Sequence, residues 1–273
     1  MELIGQGMEG AVYDLGDGLV RKVWVDRRPD DIRPLQAFLD EIPPLPFRTP
    51  RIRSIDAGDN GLAVTDEDRL TGTPFDRSDP EVFVTVVQAL GTTTAGPASK
   101  ALPVLNQPFW QGSWGESLAA LVRRRAQASY RHLERDVTNF PAVLDDVTRR
   151  LASIELDHLS IVHGDICPPN LLMDGPRPVA LLDWGFCSTA GDNTFDAALA
   201  AGFYDMYGAD ARHRDTELLD RFEALGHDRD RMHLYRQAYA IITATVYDEN
   251  AGDGHYAWCV ADLNRLSVGG RTG

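Results

Sequence analysis

Long apolar runs are missing from this 273-residue sequence, and none approaches the roughly 18 residues that a membrane-spanning helix requires. Cysteine is scarce. Cys167, Cys187 and Cys259 are odd in number, widely spaced and free of any C-x-x-C pair, which argues against a disulfide framework or a zinc site and fits reduced thiols. The first residues, Met1-Glu2-Leu3-Ile4-Gly5, have neither a basic segment nor the apolar stretch of a secretory leader, so a cytoplasmic location is expected. Internal repeats and low-complexity tracts are absent. Basic residues are outnumbered, 27 Lys+Arg against 41 Asp+Glu, giving a formal net charge of −14. A phosphate backbone or an anionic membrane face would repel such a surface, so neither nucleic acid nor membrane is an expected partner, whereas a cationic small molecule is compatible. What is present is a globular composition, with 43% apolar and 25% charged residues and enough chain to bury a core without covalent staples.

Periodicity divides the chain into two parts. The first 65 or so residues read as strands: Leu3-Ile4, then Ala11-Val12-Tyr13, an Asp17-Gly18 hairpin turn and the run from Leu19 to Val25. A short helix is predicted over 30–41, with Ile32, Leu35, Phe38 and Leu39 at helical spacing, and strands over 51–55 and 62–65 flank an Asn60-Gly61 turn. After about residue 70 the pattern becomes helical, with helices predicted over 80–90, 116–137, 141–154, 196–207, 216–225, 229–247 and 256–266. The Gly-, Thr-, Pro- and Ser-rich stretch 91–115 reads as irregular connection.

Three features carry chemistry. Gly5-Gln6-Gly7-Met8-Glu9-Gly10-Ala11-Val12 is a G-x-G-x-x-G-x-V pattern, compatible with a dinucleotide-binding turn, a kinase-type phosphate loop or a plain hairpin. A strand, a turn and another strand follow it, rather than a helix, which favours the kinase-type loop. Lys22 lies in the next strand, where alternation groups it with Val20 and Trp24; from there an ammonium can reach phosphates under the loop, with Arg21 as a rival. The strongest signal is His163-Gly164-Asp165-Ile166-Cys167-Pro168-Pro169-Asn170 between two apolar runs, followed by Leu181-Leu182-Asp183-Trp184-Gly185-Phe186. Phosphoryl transfer needs a base that orients a hydroxyl and a magnesium ion held by oxygen ligands. Asn170 and Asp183 fit the metal, and Asp165 is left for the hydroxyl.

With these motifs in kinase order, the chain resembles the aminoglycoside phosphotransferases and their relatives of the protein-kinase-like fold, with Asp183-Trp184-Gly185 standing where protein kinases have Asp-Phe-Gly. The resemblance extends to Gly191-Asp192 and Phe195-Asp196 and is thin between residues 75 and 155. It implies an α+β, bilobal architecture, with a small β-rich nucleotide lobe over 1–69 and a larger helical lobe over 70–273. It implies Asp165 as base, Asn170 and Asp183 as magnesium ligands, Lys22 with Gly5, Gly7 and Gly10 on the phosphates, and Asp196 as a support of the catalytic loop. Leu70-Thr71-Gly72-Thr73-Pro74 resembles the segment after the interlobe hinge, placing adenine near Glu67, Arg69 and Leu70. Two departures stand out. Cys167 replaces a frequent second histidine, and no helix glutamate is an obvious partner for Lys22, Asp31, Gln36, Asp40 and Glu41 being the nearest candidates.

The expected activity is magnesium-dependent transfer of the γ-phosphoryl of ATP or GTP to a hydroxyl of a small molecule. The acceptor is expected to be cationic, as an aminoglycoside or related natural product is, because Asp248, Glu249 and Asp253 cluster between two helices where the resembled family lines its acceptor pocket. Asp192 is a further candidate there, and Tyr256 and Trp258 could pack a sugar ring. A metabolic kinase of choline, homoserine, sugar or macrolide type shares the same frame. A nucleotide-binding pseudokinase is disfavoured because Lys22, Asp165, Asn170 and Asp183 are all present, and a protein kinase because no Ala-Pro-Glu segment follows Asp183.

Overall fold

Strand alternation in the amino-terminal part produces an antiparallel five-stranded sheet in the computed structural model, which describes residues 1–7 and 9–268. Its strands are β1 (Glu2–Gln6), β2 (Gly10–Gly16), β3 (Leu19–Trp24), β4 (Ile52–Ala57) and β5 (Ala63–Asp68), in the order β1-β2-β3-β5-β4. Asp17 and Gly18 both take positive φ, 51° and 78°, as a two-residue hairpin matched to strand twist requires. The register sets Lys22 opposite Val12 on one side and Thr65 on the other, and Val20 opposite Glu67. Val20, Lys22 and Trp24 therefore share one face with Thr65 and Glu67. Helix α1 (Pro29–Glu41) packs against the sheet through Ile32, Leu35, Phe38 and Leu39, the apolar stripe read from the sequence.

The remainder is mostly helical: α2 (Glu81–Gly91), α3 (Pro97–Ala101), α4 (Trp114–Asp136), α5 (Phe140–Ala152), α6 (Asn193–Phe203), α7 (Ala211–Ala224), α8 (Arg229–Thr243) and α9 (Gly254–Val268). Helix α4 begins two residues before the predicted start, because Ser113 and Glu116 form a capping box around its first turn. Helix α3 lies inside the stretch expected to be irregular. Its amino-terminal N–H groups are satisfied from far along the chain, with Glu41 accepting from Gly96, Ala98 and Ser99 at 3.1, 2.7 and 2.8 Å, a cap with no local signal. Helix α8 stops four residues short of the predicted 247, leaving Tyr247 outside it. No helix among the described residues is long and apolar enough to cross a membrane.

Small strands thread this helical part and fix two loops. After β6 (Thr73–Pro74), β7 (Ser160–Val162) pairs with β10 (Thr189–Gly191), while β8 (Leu171–Asp174) pairs with both β9 (Arg177–Leu181) and β6. The loop 163–170 leaves β7 and enters β8 through a 3-10 turn at Pro168–Asn170, and the loop 182–188 leaves β9 and enters β10. The polar residues of both loops thus meet at one edge. Helix α6, beneath them, is tied into the bundle by buried Arg236 on α8, which donates to Ala198 O of α6 at 3.2 Å, to Asp215 of α7 at 2.8 Å and to Asp262 of α9 at 2.9 Å.

Arg236→Met leaves buried carboxylates short of a partner and should cost about 3–5 kcal/mol in urea unfolding. Burial opposes ionisation of Asp262, but Arg236 and Arg265 outweigh it and hold its carboxyl below the ordinary value. A depressed folded value means that the stabilisation is complete above the unfolded pKa of about 4 and is lost as pH falls through the folded value. Wild-type stability should therefore drop more steeply than that of Asp262→Asn below about pH 4. Parallel curves would contradict the ion pairing.

Candidate active site

The loop 163–170 is held from below by one carboxylate. Asp196, fully buried on α6, accepts the backbone N–H of His163 at 2.9 Å and of Gly164 at 2.7 Å. Gly164 makes this turn possible: its φ is 77°, and a Cβ there would stand 2.5 Å from that of Cys187. Burial pushes the Asp196 carboxyl up to about 7, with its two backbone donors opposing that shift.

His163 is likewise spent on the loop. Its Nδ1 accepts the Asp165 N–H at 3.1 Å and its Nε2 meets Leu182 O at 2.9 Å, an arrangement that requires the neutral Nε2–H tautomer. Burial pushes its pKa down to about 4. It is a backbone clamp between the two loops, with the ring of Trp184 against it at 4.4 Å.

Asp165 and Asn170 come together. The Asn170 amide donates to Asp165 O at 3.0 Å and to Asp165 Oδ2 at 3.1 Å; both bonds use its nitrogen, and among the described residues the amide oxygen has no hydrogen-bond partner. Burial first, then the nearby charge of Asp183, push the Asp165 carboxyl up to about 7, against the Asn170 hydrogen bond. Asp183 takes the left-handed backbone conformation, φ 62°, which for a non-glycine residue costs roughly 1–3 kcal/mol. Neighbouring anchors enforce it: Leu182 N–H donates to Asn170 O at 2.8 Å, and the Trp184 indole donates to Leu181 O at 2.9 Å. Burial raises the pKa of Asp183, Lys22 opposes the rise, and Glu9 adds to it. Among the described residues the Asp183 carboxylate has no ion-pair partner within 4.0 Å. A free carboxylate and a free amide oxygen are the donor set a magnesium ion takes when it retains several waters. Asn170 and Asp183 therefore fit that ion, although no cluster of three or more metal-binding side chains exists among the described residues.

Across from these loops stands the sheet. Gly5, Gly7, Gly10, Lys22, Glu67, Arg69 and Leu70 all line a cavity of about 740 Å³ together with Asp165, Asn170 and Asp183. A Cβ at Gly10 would come within 2.1 Å of Val23 O, so the sheet itself requires that glycine. A Cβ at Gly5 or Gly7 would meet nothing within 4 Å, so their missing side chains leave room over the cavity. Lys22 Nζ sits 3.8 Å from the Trp24 ring centroid and 2.7 Å from Glu9 Oε2. The Trp24 indole donates to Thr65 Oγ1 at 3.1 Å, whose hydroxyl donates to Glu67 Oε1 at 2.7 Å. Burial raises the Glu67 carboxyl pKa, against Thr65 and Lys22. Arg69 pairs with Asp14 and its backbone N–H donates to Gly18 O at 2.8 Å, tying the chain just past β5 to the hairpin.

A match to the phosphotransferase enzyme family spans residues 1–235. The chain belongs to that family. No curated protein matches it. Solved structures share the fold at low identity. A thermostable mutant of aminoglycoside phosphotransferase APH(4)-Ia aligns over 100% of this chain and 95% of its own, with a TM-score of 0.72 and 16% identity. Choline kinase LicA from Streptococcus pneumoniae aligns over 98% and 92%, at 0.61 and 15%. Macrolide 2'-phosphotransferase MphH from Brachybacterium faecium aligns over 96% and 91%, at 0.57 and 17%. This phosphotransferase is therefore kinase-like in fold, with an antiparallel sheet before a helical part.

The structure does not bring the four acidic acceptor candidates together. Asp192 caps α6 and is almost buried, accepting from Thr194 N–H at 2.9 Å, Tyr235 hydroxyl at 2.7 Å and Arg231 at 3.2 Å. Asp248 accepts from Asn250 and Gly252 N–H at 2.8 and 2.9 Å within its own turn. Asp253 accepts the Tyr256 N–H at 2.7 Å, and Glu249 is exposed. Of this region it is Tyr247, absent from the sequence-derived site, that lines the cavity. Tyr256 is buried with its hydroxyl on Asp136 at 2.7 Å, and Trp258 stacks on His255. Burial pushes the Cys167 thiol up, so it is no activated nucleophile.

None of the proposed helix partners reaches Lys22. Asp31 accepts the Arg28 N–H at 2.8 Å, Gln36 donates to Ile52 O at 3.0 Å, Asp40 pairs with Arg51 at 3.3 Å, and Glu41 caps α3.

Two outcomes check this construction. Nitrogen-detected NMR should find His163 as the neutral Nε2–H tautomer from pH 8 down to about 5; a midpoint near 6.5 would contradict the clamp. Asp196→Ala strips acceptors from two buried N–H groups and should destabilise by about 1–3 kcal/mol for each. Denaturant unfolding within 0.5 kcal/mol of wild type would remove its role.

Proposed function

We propose that this phosphotransferase moves the γ-phosphoryl of ATP or GTP to a hydroxyl of a small molecule, with magnesium held at Asn170 and Asp183. One observation carries the reading: Asn170, Asp183, Asp165 and Lys22 line the same cavity as Gly5 and Gly7. Residues 1–69 would form the nucleotide lobe and 70–273 the lobe carrying the catalytic loop. A solved complex of the fold neighbour APH(4)-Ia contains ADP and hygromycin B, which supports a cleft for nucleotide and acceptor together.

In this reading the base lies against residues 67–70, with Glu67, Arg69 and Leu70 on the wall, and Lys22 holds the phosphates under the glycine loop. Magnesium held there by Asn170 and Asp183 would offset the charge of the phosphates. Asp165 receives the acceptor hydroxyl, holds it in line and takes its proton; burial raises its carboxyl, which makes its carboxylate a stronger base than that of an ordinary aspartate. Asn170 fixes which Asp165 oxygen is left for that proton. Most of the rate then comes from positioning.

A cationic acceptor, of aminoglycoside type or a related natural product, is favoured by the Tyr247 ring at the cavity, since an aromatic face suits an ammonium group. The same ring would also serve an amino alcohol such as choline.

A coupled ATP/GTP assay over aminoglycosides, macrolides, peptide antibiotics and amino alcohols should find turnover confined to cationic acceptors; turnover of neutral ones alone would contradict that class. Asp165→Ala should lower kcat at least about a hundredfold, while Mg–nucleotide affinity measured by calorimetry changes little. Asp183→Ala should weaken that affinity. Normal turnover in the first variant or unchanged affinity in the second would each remove the assigned role.

A further inference from the structure

Beyond the cleft, the buried His255–Cys259–Thr243 cluster and the Arg236 ion-pair network are explained by packing. Glu9 is different. It is a charged residue inside the glycine-rich loop, where the motif leaves the residue type open, and it lines the cavity with its side chain partly buried.

Resting on the phosphotransferase reading, we propose that Glu9 is the positioning residue for Lys22, a task that no residue of α1 performs. Lysine carries a point charge with three donors on a flexible four-carbon stem, so it contributes to phosphate binding only where something restrains the stem. Two neighbours restrain it. Glu9 Oε2 accepts from Nζ at 2.7 Å, a charge-assisted distance, and the Trp24 ring lies 3.8 Å away on another side. Trp24 is itself fixed by its indole bond to buried Thr65. The remaining direction for an ammonium N–H is the cavity. The second Glu9 oxygen stands 3.9 Å from Arg27, so a second positive charge offsets the carboxylate and limits its repulsion of an incoming phosphate. The backbone joins the same unit, because Glu9 O accepts the Val25 N–H at 3.1 Å just past the end of β3. Glu9 thereby links the position of the loop to the position of the lysine, so a loop displaced from the cavity also releases Lys22.

Four proteins test this: wild type, Glu9→Gln, Lys22→Met and the double variant. Each is measured for Mg–ATP affinity by calorimetry, for kcat and KM with an accepted substrate, and for melting temperature. Glu9→Gln should lower kcat/KM for nucleotide about tenfold or more, with the melting temperature unchanged. It should have no effect in the Lys22→Met background, and Glu9→Asp should recover part of the loss. Tighter nucleotide binding by Glu9→Gln would overturn the inference, because Glu9 would then only compete with phosphate. An equal loss in both backgrounds would also overturn it, because a structural role does not depend on Lys22. If Lys22→Met itself retains wild-type affinity and rate, the phosphotransferase reading of the cleft fails. A Lys22 effect with Glu9 silent removes this inference alone.

Discussion

The buried carboxylate of Asp196 is the constraint on which the site depends. Two backbone N–H groups of the loop 163–170 point into the protein where no strand can receive them, and an unsatisfied buried N–H costs as much as a lost hydrogen bond. Asp196 accepts both, at 2.9 and 2.7 Å, and so fixes the backbone that carries Asp165. His163 passes the restraint to the second loop through Leu182 O, and the next residue in that loop is Asp183. Asp165 and Asp183 are thus set by one buried carboxyl group and one neutral imidazole, neither of which lines the cavity. Their cost is offset by helix packing, with Arg236 holding α6 against α7, α8 and α9.

The cleft divides its labour accordingly. Functional groups on its helical side are rigidly pre-set, down to the left-handed backbone of Asp183. On the sheet side the restraint comes from register: β3 and β5 place Lys22 beside Thr65 and Val20 beside Glu67, and the Trp24–Thr65–Glu67 chain of hydrogen bonds holds that surface. A phosphoryl-transfer site needs such pre-setting, because it accelerates by alignment and charge placement.

Much of this was legible in the sequence. The Asp17-Gly18 turn, the apolar stripe of α1 and the Asp165–Asn170–Asp183 spacing are local patterns, and local patterns survive folding. Other readings failed, for local and non-local reasons. Helix α3 depends on Glu41, 55 or more residues away, so its composition read as loop. Asp192, Asp248, Glu249 and Asp253 suggested an acceptor pocket, but none of them lines the cavity, and Asp192, Asp248 and Asp253 cap helices and turns, the commonest use of a short carboxylate near a helix start. Tyr247 was hidden because periodicity carried α8 past its true end. Glu9 was hidden in plain view, since a glycine motif directs attention to its glycines. Strand register, visible only in three dimensions, turns it toward Lys22.

The most direct test of the central claim is a crystal structure with magnesium and a non-hydrolysable ATP analogue. The account predicts a metal ion on Asn170 Oδ1 and Asp183, the terminal phosphate facing Asp165, and Lys22 in contact with phosphate while still bonded to Glu9. Nucleotide bound away from the loops 163–170 and 182–188, or a metal held without Asp183, would contradict it.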